Sequence, residues 1–230
     1  MMIQLFHLTK VHPSGVKVLE DAFLTVAEGA FVVLAGENRA GKSTLLRILA
    51  GEDKPTSGRA LIHQKDPYAL SPKEKREWQS LNGFIFPDLK LFPDKTVEEN
   101  VLFPLRVRGS FEADPKAPVA QLLERAGLGA KAGQKPADLS AAEQRMGVAL
   151  RAMVFKPRLL LADDPFAGMD EKSARTLWKL FAELHKAGTT VFLSLQRPED
   201  LASAGDLLNE TRVQMVHLKE RQLWPVGVGE

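Results

Sequence analysis

The feature that most constrains this chain is a glycine-rich segment at residues 36–44. It reads Gly-Glu-Asn-Arg-Ala-Gly-Lys-Ser-Thr and fits the pattern G-x-x-x-x-G-K-[ST] without a gap. An apolar run, Phe31 to Ala35, precedes it, and an amphipathic segment, Leu45 to Leu49, follows it and stops at Gly51. A strand, a glycine turn and a helix in this order predict backbone N–H groups that curl around a phosphate.

The residue types in this segment fit the binding of a nucleotide phosphate. Gly36 and Gly41 let backbone N–H groups turn toward phosphate oxygens, and Lys42 would reach the β- and γ-phosphates. The Ser43 hydroxyl would complete a Mg²⁺ shell made mostly of phosphate and water oxygens. The other nucleotide-binding candidates in the segment are Asn38, Arg39, Ala40 and Thr44. The alternative, a glycine-rich helix start with an exposed lysine, does not account for the strand and helix that flank the motif.

A second apolar run ends in two carboxylates. Leu159 to Ala162 is followed directly by Asp163 and Asp164. If the run is a buried strand, both acids lie at its carboxyl end, where ligands bind in open α/β sheets. Asp163 could then hold Mg²⁺ through water, and Asp164 could polarise an attacking water. Alone, such a pair is more often a solvated loop start; beside a phosphate loop, the functional interpretation is favoured.

Strand-like and helix-like stretches alternate along the chain. Half-buried strands are predicted at residues 3–8 and 22–26, and buried strands at 31–35, 159–162 and 190–195. This order predicts an α/β architecture with a parallel central sheet. The stretch 87–155 differs, because prolines separate its short helical patterns. We therefore predict a single domain over residues 1–230, with an α/β core in 1–86 and 156–230, an N-terminal β subdomain, and a helical subdomain in 87–155.

Composition narrows the classes of protein. The chain has no cysteine, which excludes a disulfide scaffold, a thiol nucleophile and a thiolate zinc site. No apolar run reaches the roughly 18 to 20 residues that span a bilayer. With 31 Lys+Arg and 29 Asp+Glu, the net charge of +2 gives nucleic-acid binding no electrostatic support. A soluble intracellular globular protein is expected.

The order of motifs resembles the nucleotide-binding domain of ABC ATPases. Leu139-Ser140-Ala141-Ala142-Glu143-Gln144 stands where that family carries its LSGGQ-like signature, and Asp170 matches the D-loop aspartate. The opening residues 2–5, the stretch Thr96 to Val101 and the Glu-Gln pair of the signature look most like the FtsE cell-division subgroup. The LolD-like lipoprotein-release and MacB-like efflux ATPases are near neighbours.

This resemblance implies a fold, a ligand and partners. The fold is a P-loop NTPase (RecA-like) core with an antiparallel β subdomain and a helical insert, and the ligands are ATP and Mg²⁺. Two such domains would form a head-to-tail homodimer, or a heterodimer with another ABC ATPase, with ATP between one phosphate loop and the other signature. The membrane partner would be a permease-like, FtsX-like subunit bound through a groove near the insert. The chain would then be cytoplasmic and peripheral at the inner face of the cell membrane.

Departures from the family pattern cluster on hydrolysis. The catalytic glutamate of the family is here Asp164, one methylene shorter, and the switch histidine is Gln196, which cannot become a cation. The glutamine expected after Phe86 is Pro87, which has no side-chain amide to ligate Mg²⁺ or orient water. These changes weaken the prediction of catalysis by Asp164 and Gln196.

Other departures concern nucleotide contacts. The two glycines of the signature are Ala141 and Ala142, whose Cβ atoms would crowd a closely approaching phosphate. The aromatic residue that stacks on adenine in the family corresponds to His12. Ser140-x-x-Glu143 also fits a capping box, which would start a helix without any nucleotide role.

Three functional interpretations remain. One is an energy-coupling ATPase with slow hydrolysis; another is a nucleotide-binding pseudoenzyme that works as a scaffold. The third is the degenerate half of a heterodimeric ABC ATPase. A DNA-repair ABC ATPase is disfavoured, because it would need a long coiled-coil insertion and this chain has only the stretch 87–155.

Overall fold

Two sheets organise the protein. The computed structural model describes residues 1–88, 90–108, 115–205 and 211–226. Within these residues the strands are β1 Ile3–Val11, β2 Lys17–Val26, β3 Phe31–Ala35, β4 Ser57–Ile62, β5 Asn82–Ile85, β6 Leu159–Asp163, β7 Thr190–Ser194, β8 Gln214–Lys219 and β9 Gln222–Val226. One sheet has the order β2-β1-β4 and the other the order β5-β6-β7-β3-β8-β9.

Helices connect and cover the strands. They are α1 Lys42–Leu49, α2 Pro72–Ser80, α3 Val97–Arg108, α4 Lys116–Arg125, α5 Ala141–Met153, α6 Glu171–Lys186 and α7 Pro198–Ala202, with 3-10 turns at Gly129–Lys131 and Pro136–Asp138. In the described part of the predicted helical subdomain, which excludes residues 89 and 109–114, there are helices and turns but no strand. No helix among the described residues is long and apolar enough to cross a membrane.

The larger sheet is parallel except at one edge, as the alternating sequence predicts. β5, β6, β7, β3 and β8 run in the same direction, and β9 pairs antiparallel with β8. The register places Leu34 opposite Ser194 and Ser194 opposite Asp163. The carboxyl ends of β3, β7 and β6 therefore meet at one edge of the sheet.

Burial explains why these strands read as continuous apolar runs. Every residue of β6 and β7 is buried, because helices or the second sheet cover both faces. In one core, the helices α3, α4, α5 and α6 pack against one face of the large sheet. In the other core, α1 and the three-stranded sheet pack against the opposite face. Stacked rings of Phe31, Trp178 and Phe166 lie in the first core.

Helix ends follow local sequence signals. Gly51 and Gly188 come directly after the caps of α1 and α6 and have φ angles of 73° and 100°, which glycine adopts without steric cost. The predicted capping box at the start of α5 is present: Glu143 N donates to Ser140 Oγ, and Ser140 N donates to Glu143 Oε2 at 2.9 Å.

Helix α5 approaches the large sheet closely at a glycine. A Cβ atom on Gly83 of β5 would lie 2.4 Å from the main-chain oxygen of Ala152 and 2.9 Å from Leu160 Cδ1. Gly83 therefore sets how closely α5 packs on the sheet, and this packing helps to hold α5 at the carboxyl end of β6.

We expect Gly83→Ala to lower the free energy of unfolding by about 1–3 kcal/mol, the usual cost of overpacking, because the backbone at Ala152 must move. Gly133→Ala is the matched control, since a Cβ there meets no atom within 4 Å. Urea unfolding of both variants measures the difference. Equal stability of the two variants would contradict this account of the packing.

Candidate functional site

The glycine-rich loop lies at the carboxyl end of β3, and α1 begins inside it at Lys42. Gly41 has a φ angle of 109°, in the region that favours glycine. A Cβ on Gly36 would lie 2.6 Å from the main-chain oxygen of Leu218 on β8. The tertiary fold therefore requires glycine at both positions, and the loop turns its backbone toward the N-terminus of α1.

Lys42 is held at the centre of the loop. Its side chain is almost fully buried, and Nζ donates hydrogen bonds to the main-chain oxygens of Gly36 at 2.7 Å and Glu37 at 2.9 Å. Burial lowers the pKa of Lys42, while the negative charges of Asp163 and Asp164 raise it. The ammonium group is thus oriented by the loop itself, and an added phosphate would favour its charged form.

A cleft of about 660 Å³ opens beside this loop, a size typical of small-molecule sites. It brings together most of the predicted nucleotide-binding residues with several that were not predicted: His12, Ser14, Val16, Val18, Asn38, Arg39, Gly41, Lys42, Ser43, Thr44, Asp163 and Gln196. Gly36 and Ala40 shape the loop but do not line the cleft. His12 Nε2 lies 3.5 Å from Thr44 Oγ1, so the predicted base-stacking residue stands next to the phosphate loop.

The two carboxylates at the end of β6 differ in their surroundings. Asp163 Oδ1 accepts a hydrogen bond from Ser194 Oγ at 2.6 Å, and Asp164 N donates to Ser194 Oγ at 3.1 Å. The fully buried Ser194 therefore orients both neighbours. Sequence reasoning missed this residue; a single hydroxyl near the end of the apolar run 190–195 was the available signal.

Asp164 is buried, and its backbone has a strained conformation. It is 7% exposed, its φ angle is 48°, and its Oδ1 has no hydrogen-bond partner among the described residues. Burial raises its pKa, as do Asp200 and Asp163, whereas a backbone hydrogen bond from Gln196 and the charge of Arg145 lower it. A carboxylate with a raised pKa and a free oxygen can accept a proton from water.

A smaller cleft of about 260 Å³ continues from Asp163 and Asp164. Pro87, two residues after β5, lines this cleft together with Ala141, Gln144 and Arg145 of α5. Pro87 thus lies beside the carboxylates, in the place that the family resemblance implies for a glutamine.

The signature residues lie outside the large cleft. Glu143 binds Ser140 and accepts a hydrogen bond from Lys131 Nζ at 2.6 Å. Asp170 caps α6 by accepting a hydrogen bond from Ser173 N at 2.7 Å. Ala142, Glu143 and Asp170 share a separate depression of about 440 Å³. The structure therefore does not bring Ser140, Ala142, Glu143 or Asp170 to the phosphate loop of their own chain.

The oxygen ligands in the large cleft suit a Mg²⁺ ion that is also bound by a nucleotide. Among the described residues there is no group of three or more His, Asp or Glu side chains that could hold a metal ion without other ligands. The predicted ligands Ser43 and Asp163 both line the large cleft. Mg²⁺ commonly takes one or two protein oxygens and completes its shell with phosphate and water, so these residues fit the ion.

A glycine loop at a strand end, a buried lysine and carboxylates on the next strand but one define a nucleotide-phosphate site. The family model described as "ABC transporter" matches residues 19–167, and the chain belongs to this family, in which it corresponds to the ATP-binding subunit. Its fold is the P-loop ABC ATPase fold that the sequence predicts.

Individual relatives and a solved structure are consistent with this family. The cell division ATP-binding protein FtsE of Bacillus subtilis is 35% identical over 198 residues, 86% of this chain and 87% of the relative. The lipoprotein-releasing ATP-binding protein LolD of Geobacter metallireducens is 35% identical over 206 residues, 88% and 92% of the two chains. A dimeric ATP-binding cassette in a post-hydrolysis state with ADP and phosphate superposes with a TM-score of 0.86 at 27% identity over the full length of both chains.

We expect Lys42→Ala to weaken ATP binding at least tenfold, because a charge-assisted hydrogen bond to phosphate contributes about 1.5–3 kcal/mol. The exposed Lys73 of α2 provides the control Lys73→Ala, which removes the same charge far from the loop. Calorimetric titration with ATP measures both affinities. Equal affinities would show that the large cleft is not the nucleotide site.

Proposed function

We propose that this chain is an FtsE-like ATP-binding subunit that couples ATP binding and slow hydrolysis to a membrane-spanning, FtsX-like partner. The observation that carries the proposal is the complete set of phosphate-binding groups on one side of the large cleft: the loop, the oriented Lys42, Ser43 and the Ser194-bound Asp163. FtsE and LolD relatives are equally similar to the chain. Residues 2–5, the stretch Thr96 to Val101 and the Glu-Gln pair of the signature are what favour the FtsE-like choice.

A head-to-tail dimer accounts for the position of the signature residues. Ser140 is exposed at the N-terminus of α5 and lines neither cleft, whereas the exposed Ala141 lines the small cleft only. The N-terminus of a helix attracts anions, so this end of α5 could face a nucleotide bound by a second subunit. The second subunit is a copy of this chain or another ABC ATPase.

An apolar groove supplies a docking place for the membrane partner. Rings of Phe84, Phe92, Phe103 and Phe155 line a groove of about 290 Å³ together with Pro104 and Val107. Arg108 and Arg151 stack over Phe155 and Phe92 at 4.6 and 5.0 Å, so cations lie on its rim. An amphipathic helix with apolar anchors and an acidic side chain fits this surface. The chain itself would then be cytoplasmic and peripheral at the inner face of the membrane.

We expect Val107→Glu to abolish co-purification with the FtsX-like membrane subunit while ATP affinity stays unchanged. Val107 is 68% exposed, so the new charge leaves the fold intact and enters only the groove. Phe6→Glu is the control, because this exposed position lies on β1 opposite Arg59 and does not line the groove. Full retention of the partner by Val107→Glu would contradict docking at this place.

Hydrolysis in the proposed function depends on Asp164. Lys42 and the loop would hold the terminal phosphate, Ser43 and Asp163 would hold Mg²⁺, and Asp164 would accept the proton of the attacking water at its free Oδ1. The shorter side chain places the carboxylate farther from the phosphate, and a shift of about 1 Å can reduce the rate by about 10²-fold. Gln196 is exposed on the rim of the cleft and can donate only a neutral hydrogen bond.

A catalytically inactive scaffold is the second candidate. It is favoured by Pro87, which has no side-chain amide, while the amide nitrogen of Gln144 in the same cleft is bonded to main-chain oxygens. In a heterodimer, the other subunit would then carry out most of the hydrolysis. Phosphate release by the purified chain separates the two candidates.

We expect Asp164→Asn to reduce phosphate release from Mg-ATP by at least 10²-fold, or to background, because the amide cannot accept the proton of water. Stability is expected to remain the same or to rise, since Asn carries no buried charge. Asp94→Asn, on an exposed loop, is the matched control. Background release by the unaltered chain, alone and with its membrane partner, would instead establish the scaffold.

A further inference from the structure

Arg145 occupies an unusual place in the small cleft beside the carboxylates. It lies on α5 and lines the cleft together with Pro87, Asp163 and Asp164. Its guanidinium Nη1 lies 3.5 Å from the main-chain oxygen of Asp164, at the limit of a hydrogen bond. Among the described residues this is its single hydrogen bond, so most of its N–H donors remain available to a ligand.

The same cleft contains an acceptor without a partner. Asp164 is more than nine-tenths buried, and its Oδ1 has no hydrogen bond among the described residues. The buried carboxylate oxygen is costly to leave unsatisfied, whereas the half-buried Arg145 has donors that a ligand can reach. A ligand that presents an anionic oxygen to Arg145 and an O–H group to Asp164 would satisfy both. A terminal phosphate with an attacking water is such a ligand.

Pro87 has no polar side-chain atom, so a contact to a ligand in the small cleft can be made by Arg145 instead. A glutamine at this position could ligate Mg²⁺ or orient water, and proline can do neither. Arg145 lines the same cleft from α5, and its planar fork of donors matches phosphate oxygens. Gln144, its neighbour on α5, is occupied by the main-chain oxygens of Pro136 and Leu139.

We propose that Arg145 contacts the terminal phosphate of the nucleotide bound by its own chain and thereby supplies a polar contact in the cleft where Pro87 offers none. The inference rests on the proposed function, because it requires that ATP binds in the large cleft. Arg145 distinguishes a triphosphate from a diphosphate, and it keeps the terminal phosphate next to Asp164.

A guanidinium differs from an amide in one further respect. An amide oxygen can ligate Mg²⁺, whereas a guanidinium has no acceptor and repels the ion. Arg145 would therefore stabilise phosphate charge directly, without the metal. The preference for ATP over ADP that depends on Arg145 should persist when Mg²⁺ is removed by a chelator.

The test measures ATP and ADP affinities of the full chain by calorimetric titration, with and without Mg²⁺. We expect Arg145→Ala to weaken ATP binding about tenfold or more, which is about 1.4 kcal/mol, and to change ADP binding less than about twofold. Arg145→Lys should keep part of the preference. Arg158→Ala, which removes an exposed arginine near Glu28 on another surface, should leave both affinities unchanged.

Each other outcome overturns the inference or its basis. An equal loss of ATP and ADP affinity in Arg145→Ala, or no loss, would overturn the role of Arg145 and leave the proposed function standing. Arg145→Gln, which keeps a long side chain on α5, repeats the measurement if the alanine variant does not fold. Failure of the unaltered chain to bind either nucleotide would overturn the proposed function itself.

Discussion

Parallel pairing of β3, β7 and β6 is the constraint on which the site depends. The loop follows β3, Ser194 ends β7, and Asp163 ends β6, and in-register pairing places these three ends side by side. Antiparallel pairing would place the carboxylates at the opposite edge of the sheet. The Ser194 hydroxyl then joins the strands at the site by bonding Asp163 and the backbone of Asp164.

The structure separates the groups that hold phosphate from those that act on it. Lys42 is oriented by two main-chain oxygens, and the loop glycines lie where a Cβ would meet β8 or β2. By contrast, Asp164 is short and strained, one of its oxygens has no partner in the part of the chain that the structure describes, and Pro87 beside it offers no polar side-chain atom. Binding therefore rests on groups fixed by the fold, whereas turnover depends on a few side chains at the small cleft.

Local signals predicted much of the fold. Buried strands showed as apolar runs, Gly51 and Gly188 marked helix ends, and Ser140 with Glu143 marked the start of α5. Ser194 and Arg145 were not predicted as site residues. Their significance comes from neighbours 30 and 19 residues away in sequence, which no local pattern contains.

The sequence by itself determined the phosphate loop, the strand with terminal carboxylates and the family, because these depend on residue types at short, regular spacings. Only the tertiary structure decided which of these groups share a cleft. It placed Lys42, Asp163 and Gln196 in one cleft, and Pro87, Asp164 and Arg145 in the next. It kept Ser140 and Asp170 away from both, because strand order and helix packing join segments that are distant along the chain.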